Sequence, residues 1–382
     1  MSEPKLLLIG LFADMLDGEL WAEVPFGFWS VVFFVFGCIV GSFLNVCIHR
    51  MPLGQSLVSP PSHCPHCRYS IPWYLNVPLF TWLWLRGRCA NCKAPISPRY
   101  VLVELLTGLL FLGGWVHSGA ESAGVALAMA LLFSGLIVAT FIDFEHYIIP
   151  DEITLGGIVA GLVASGLIPS LHHQTQPALA LALSALGAGV GAGITYAVLR
   201  FGKLAFGKQK IRFGKPTRVE FRETGVVIEG EETPFEEIFY RPTDRIELQA
   251  SRVEALGRTW ADVPVRLSTL RLDIGEDHFD PEKVPNMVAT TDRILIPREA
   301  MGFGDVKFLG AIGAFIGWQG AVFSLMASAV IGAFFGISLI LMGKREWSAK
   351  LPYGPYIAVA ALLWVFCGRP LTEWYVRRIG VI

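Results

Sequence analysis

Four of the seven cysteines in this 382-residue chain fall into two CxxC pairs, Cys64 with Cys67 (CPHC) and Cys89 with Cys92 (CANC). Two such knuckles supply the four thiolates of a tetrahedral structural Zn2+. The 21 residues between them slightly exceed the usual spacing of roughly 15 to 20, but a longer loop adds little closure entropy. A redox or structural thiol arrangement is the competing reading. His63 and His66 adjoin the first knuckle and are ligands of second rank. Cys38, Cys47 and Cys367 have no partner at ligand spacing and read as small core residues.

Two aspartates offer a second chemistry. Asp143 ends the apolar run GLIVATFID, and Asp305 lies in MGFGDVKFLG at the head of another. Two carboxylates sharing one site cannot both ionise easily, so the pair can act as acid and base on a shared water, which is what metal-free aspartyl peptide hydrolysis needs. Gly302 and Gly304 fit that role, because a backbone without Cβ atoms can be approached closely. Taken singly, each Asp could merely mark a membrane interface, where charge costs less than at the bilayer centre; the glycine frame favours chemistry at Asp305. Glu104, which interrupts an apolar run, is the candidate for a further functional acid. Glu145, Asp151 and Glu152 compete in the segment after Asp143, with Asp151 read as a helix cap behind Pro150.

The elements that must carry these residues are membrane helices. The chain is 53% hydrophobic and only 16% charged, against roughly 25% for an ordinary soluble protein, and its mean hydropathy is +0.52. Lys plus Arg (31) and Asp plus Glu (32) nearly cancel, so no global basic field exists to hold nucleic acid. A span needs about 20 mostly apolar residues. Eight runs qualify, at 27–48, 100–117, 124–142, 153–170, 178–199, 303–318, 320–342 and 353–368; the second and sixth are the weaker ones. Gly187, Gly189, Gly191 and Gly193 lie inside one of them with no preceding strand, so they read as small-residue helix packing rather than a phosphate loop.

Orientation follows from the loops. Residues 49–99 carry Arg50, Arg68, Arg86, Arg88, Lys93 and Arg99 with no acid, which places this four-cysteine segment in the cytoplasm. The acidic flank Asp14, Asp17, Glu19, Glu23 argues against a cleavable signal peptide, so residues 1–26 read as a periplasmic segment before the span 27–48. Alternation then puts 143–152, 200–302 and the Lys344, Arg345, Lys350 loop on the cytoplasmic side, and with them both aspartates. The tail with Arg369, Arg377 and Arg378 falls outside against the rule, which makes it interfacial or the last span miscounted.

Residues 200–300 differ from their surroundings, holding 17 of the 31 basic and 18 of the 32 acidic residues. Apolar and polar residues alternate over Arg218–Ile228, Arg245–Ala250 and Val265–Ile274, so the segment reads as a soluble, cytoplasmic, β-rich insertion. The expected architecture is therefore a mainly α polytopic membrane protein of about eight transmembrane helices, with a cytoplasmic zinc-knuckle loop and an inserted cytoplasmic β-rich domain. Helices 2–5 occupy 100–199 with Asp143, and helices 6–8 occupy 301–382 with Asp305. The apolar stretch 73–85 is only 13 residues long and broken by Pro78, so it reads as a membrane-surface segment.

Six ordered blocks resemble one family. GSFLNVCIHRMP (Gly41 to Pro52), the double CxxC, PISPRYVLVELLTG (Pro95 to Gly108), DFEHYIIPDEITL (Asp143 to Leu155), GFGDVKFLGAIGAFIG (Gly302 to Gly317) and LPYGPYIAVAAL (Leu351 to Leu362) are similar to the prepilin peptidases, or type IV leader peptidases, of the bacterial cytoplasmic membrane. GxGD alone is shared with presenilin-like proteases; six blocks in order are specific. The resemblance implies cleavage of the short basic leader of type IV pilins and type II secretion pseudopilins, after a Gly, with Asp143 and Asp305 as the catalytic pair. It also implies N-methylation of the new N-terminus with S-adenosylmethionine, for which Glu104, Arg99 and Asn45 are candidate binding residues. The hundred-residue insertion departs from the family pattern and is a candidate for docking to the assembly machinery. A peptidase without methylation, and a zinc-stabilised transporter or scaffold whose aspartates relay protons, are the competing readings.

Overall fold

The computed structural model describes residues 21, 23–119, 122–206, 208–235, 238–239, 244–297, 302–342 and 351–378. The acidic flank Asp14, Asp17, Glu19 and the Lys344, Arg345, Lys350 loop lie outside them. The chain divides into two compact units, Met1–Tyr196 with Gly302–Ile382, and Ala197–Met301.

Helices of the first unit are α1 (Phe26–Arg50), the short α2 (Phe80–Trp84), α3 (Arg99–Gly114), α4 (Ala123–His146), α5 (Asp151–Leu167), α6 (Pro177–Phe206), α7 (Phe303–Leu341) and α8 (Gly354–Arg378). Five described helical stretches are long and apolar enough to cross a membrane: Phe26–Leu53, Arg99–Ser118, Ala123–His146, Pro177–Lys203 and Phe303–Leu341. Two expected spans fall short by length. Helix α5 has 17 residues, and the apolar part of α8 is Gly354–Gly368. The chain stays helical beyond that to Arg377 and Arg378, which are exposed. Cys38 and Cys47 are buried in α1 as expected, whereas Cys367 is exposed on α8 rather than in a core.

Helix α7 spans the expected sixth and seventh runs and is bent back on itself. Its 39 residues would reach about 58 Å if straight, nearly twice a bilayer core of about 30 Å. Gly317 breaks it with φ 75° and ψ 176°, a conformation that only glycine adopts without strain. Gly191 of α6 shows the result. A Cβ built there would meet Leu309 O at 2.4 Å and the Ala321 Cβ at 3.4 Å, so the residues before and after Gly317 stand side by side as antiparallel arms. A Cβ built at Gly187 would likewise collide with Gly313 O, while one at Gly189 or Gly193 would meet nothing within 4 Å. One glycine face of α6 thus seats the hairpin. The turn itself is held by His172, whose Nε2 lies 2.9 Å from Ser165 Oγ and 3.2 Å from Ala314 O, and by Ser184, whose hydroxyl donates to Ala314 O at 2.7 Å.

Between α1 and α3 the two knuckles repeat one backbone pattern. Cys64 N–H donates to Tyr69 O and Arg68 N–H to Cys64 O; Cys89 N–H donates to Ala94 O and Lys93 N–H to Cys89 O. Arg68 and Lys93 both turn through positive φ, 56° and 64°. The intervening segment carries α2, with Trp73, Tyr74, Phe80 and Trp84 exposed, as a membrane-surface segment requires.

The second unit is one eight-stranded antiparallel sheet in the order β3-β2-β1-β8-β4-β5-β6-β7. Its strands are β1 (Lys208–Phe221), β2 (Gly225–Ile228), β3 (Glu231–Pro234), β4 (Ile246–Ala255), β5 (Arg258–Leu267), β6 (Leu272–Ile274), β7 (Asp277–Phe279) and β8 (Met287–Pro297). Val219, Ile246, Val253, Val265, Ile274, Ala289 and Ile294 form the centre of its core. Two of the expected strands are hairpins: the chain turns at 222–224 within Arg218–Ile228, and at 268–271 within Val265–Ile274. The second turn is closed by Ser268, whose hydroxyl accepts from Arg271 N–H at 3.0 Å. Short polar stretches, Arg222 to Thr224 and Ser268 to Thr269, interrupt the alternation at the two turns.

Candidate active site and metal centre

Asp143 sits in the last turn of α4 and Asp305 in the first turn of α7, and both are buried. Ile149 links them in space, since a Cβ built at Gly304, next to Asp305, would lie 3.5 Å from Ile149 Cβ, and one at Gly354 would lie 3.1 Å from Ile149 Cδ1 and 2.8 Å from Asp143 Oδ2. Each carboxylate has one oxygen engaged by a glycine N–H at a helix start. Asp305 reaches back to its own N-cap, accepting from Gly302 N–H at 3.1 Å, as acids do at the third helical position. Asp143 accepts from Gly354 N–H, the first residue of α8, at 2.8 Å. A Cβ at Gly354 would lie 2.8 Å from Asp143 Oδ2, so only glycine fits. The free N–H groups and positive end of each helix favour a carboxylate there.

Neighbouring elements position these helix starts. Tyr353, just before α8, hydrogen-bonds Ser328 of the second α7 arm through its hydroxyl at 2.8 Å, and Tyr356 stacks on Phe335. Lys307 pairs with Asp151, joining α7 to α5, and Arg99 pairs with Glu145, joining α3 to the end of α4. Asp151 follows Pro150 at the head of α5, but that helix has no side-chain cap hydrogen bond; its carboxylate goes to Lys307 instead. Gly354 and Lys307 were not singled out by residue type. The Gly-Pro step opening an apolar run in LPYGPY is the sequence signal that could have found Gly354.

Of the remaining candidates, Asn45 donates to Tyr100 O at 3.0 Å and to Gly41 O at 3.3 Å. Glu104 is buried and accepts from Leu79 N–H at 2.8 Å. Leu79 stands at φ 60°, ψ −53°, with Phe80 N–H bonded to Pro78 O at 2.6 Å, a strained γ-turn. Glu104 thus clamps the aromatic segment to α3. Asn45, Arg99 and Glu104 thus each bond different neighbours, Asn45 on α1 and α3, Arg99 at the end of α4 and Glu104 at the turn before α2.

The four knuckle sulfurs lie within 4.8 Å of one another, with Cys64 to Cys92 at 3.8 Å and Cys67 to Cys89 at 4.0 Å. A tetrahedron of thiolates about 2.3 Å from a Zn2+ has edges of about 3.8 Å. The backbone prepares the charge. Tyr69 N–H on the Cys67 sulfur pulls that thiol down to about 6, and the N–H groups of Cys92 and Asn91 lower Cys89, whereas Cys92, despite Ala94 N–H, is pushed up to about 11 by burial and by the three neighbouring sulfurs. Four thiolates at these distances repel unless a cation sits among them, so the donor set fits a metal ion. His63 and His66 lie outside the cluster.

Two family models match: the Bacterial Peptidase A24 N-terminal domain over residues 35–118, and the Type IV leader peptidase family over 130–211 and 284–337. A curated prepilin leader peptidase/N-methyltransferase of Aeromonas hydrophila is 30% identical over 384 residues, covering 94% of this chain and 98% of that protein. The chain belongs to the type IV leader peptidase family. Another relative of that name, from Pseudomonas aeruginosa, is 27% identical over 369 residues, 90% of this chain and 92% of its own. The one from Myxococcus xanthus reaches 48% over 139 residues, 35% of this chain and 39% of its own. No solved structure matches the chain. The leader peptidase model includes Asp143 and Asp305, and it passes over 212–283, most of the β-sheet unit.

Proposed function

We infer that this chain is a membrane aspartic endopeptidase that removes the leader of type IV prepilins and type II secretion pseudopilins after a glycine, and N-methylates the residue it exposes. The observation that carries the peptidase is the pairing of Asp143 and Asp305, each with one oxygen held by a glycine N–H and one left for chemistry. One carboxylate takes a proton from water as its oxygen bonds to the scissile carbonyl carbon, while the other gives its proton to the carbonyl oxygen. The tetrahedral adduct then collapses. The C–N bond breaks, the amine leaves with a proton from the dyad, one hydroxyl of the adduct returns its proton to the dyad as the new carboxyl forms, and the pair ends with one shared proton as it began.

Zn2+ would be held by Cys64, Cys67, Cys89 and Cys92 and would stabilise the loop, which is too short for its own core. S-adenosylmethionine, when bound, supplies an electrophilic methyl group to the new amino terminus. Arg99 would donate to its carboxylate, and Asn45 Oδ1 and Glu104 would accept from its ammonium group. Their fit rests on two buried polar atoms without a hydrogen-bond partner among the described residues, Asn45 Oδ1 and Arg99 Nε. The proposed location is the bacterial inner membrane with the dyad facing the cytoplasm. Antiparallel α7 arms support counting that helix twice, and α5 and α8 complete about eight spans.

The test is one incubation of the purified enzyme with a prepilin peptide and methyl-labelled S-adenosylmethionine, read by mass spectrometry. Both leader loss and a methylated new N-terminus are expected. An intact peptide would overturn the peptidase; cleavage without label would leave a peptidase alone.

A further inference from the structure

Between α4 and α5 the chain reverses through Tyr147, which turns at φ 56°. Tyr147 and Ile148 are exposed, and Ile149 is buried, 8% exposed. Its backbone and Cβ lie against Gly304: a Cβ built there would sit 3.5 Å from Ile149 Cβ and 3.7 Å from its N and O. Its Cδ1 lies 3.1 Å from the position of a Cβ at Gly354. Gly304 precedes Asp305 in the chain, and Gly354 N–H holds Asp143. One side chain therefore packs between Gly304, the residue before Asp305, and Gly354, whose N–H holds Asp143. The ion pair of Asp151 with Lys307 fastens the loop two residues past Ile149 to α7 two residues past Asp305. A β-branched side chain is stiff at χ1, so this wall cannot swing aside cheaply.

We propose that Ile149 is the residue that sets specificity for the bond cut, by filling the space that Gly304 and Gly354 leave open, so that the substrate residue before the scissile bond is a glycine. The inference rests on the peptidase reading. To be hydrolysed, a peptide brings its carbonyl carbon between the two carboxylates. There it meets backbone without Cβ on two sides and the isoleucine between them. A glycine backbone passes where a Cβ would collide with Ile149.

The test uses full-length enzyme and two prepilin peptides that differ only in Gly or Ala before the bond, with kcat/KM measured for each. The native enzyme prefers the Gly peptide. In Ile149→Ala the Ala peptide gains on the Gly peptide by about 10- to 200-fold, the range one methylene-sized difference commands in a tight pocket. Ile149→Val, a milder change that keeps the branched Cβ, shifts the ratio the same way by less. A variant that only loosens the fold slows both peptides together. An unchanged ratio in both variants overturns the inference, and it does so while native cleavage of the Gly peptide stands. Failure of the native enzyme to cut either peptide overturns the peptidase reading itself.

Discussion

A carboxylate is useful in hydrolysis only if one oxygen is fixed and the other is free, and Asp143 and Asp305 both meet that condition through glycine N–H groups. Asp143→Asn or Asp305→Asn should abolish leader removal while the protein still inserts and binds metal; retained cleavage in both variants would discard the mechanism. Gly354 tests the geometry rather than the chemistry. In Gly354→Ala the new Cβ, 2.8 Å from Asp143 Oδ2, displaces that carboxylate, and a misplacement of this order costs about a hundredfold in rate. The prediction is a fall in kcat with KM little changed, measured on the Gly peptide. Glu104 shows what residue type leaves out: its carboxylate accepts from the strained turn at Leu79, a partner 25 positions away that no local pattern announces.

At the scale of elements, the knuckles and the α7 hairpin are the two devices that hold the helices in place. Zinc stoichiometry near one per chain is expected by elemental analysis of the purified protein. Its removal should lower Tm and expose residues 64–92 to protease, because a structural metal contributes to folding rather than to the chemical step. A folded enzyme without metal would refute the four-thiolate site. His172 makes the hairpin sensitive to acid. Burial lowers its ionisation below the usual histidine value, and the neighbouring His173 adds to this, against the favourable pull of Ala314 O. Its folded pKa lies below the unfolded one of about 6.5, so the unfolded chain binds more protons in between. Stability is present above that window and falls as pH drops through it. Thermal melts in detergent should therefore show Tm declining from pH 7 to pH 5, and His172→Gln should flatten that slope. An equal slope in the variant would assign the acid sensitivity elsewhere.

For the molecule as a whole, the low charge fraction is an average over a charge-poor helical unit and a β-sheet unit holding more than half the charged residues. The leader peptidase model passes over 212–283, so the peptidase should not need that sheet. Deleting residues 206–292 should spare cleavage of a short peptide and reduce pilus assembly, if the insertion docks to the assembly machinery; unaltered assembly would remove that role. The sequence by itself determined which four cysteines cluster, which two aspartates stand at the ends of apolar runs, where those runs fall and where the insertion lies, because CxxC spacing, charge beside apolar runs and run length are each local signals. It marked the hairpins within the expected strands only by polar breaks of two or three residues at 222–224 and 268–269, too short to set two strands apart without their pairing. Only the tertiary structure decided that α7 doubles back at Gly317, that Gly354 holds Asp143 from 211 positions away, and that Ile149 lies between Gly304 and Gly354. Those are close approaches between segments distant in the chain, and their physical cause is the absence of a side chain at one position and the presence of one at another, which no single stretch of sequence contains.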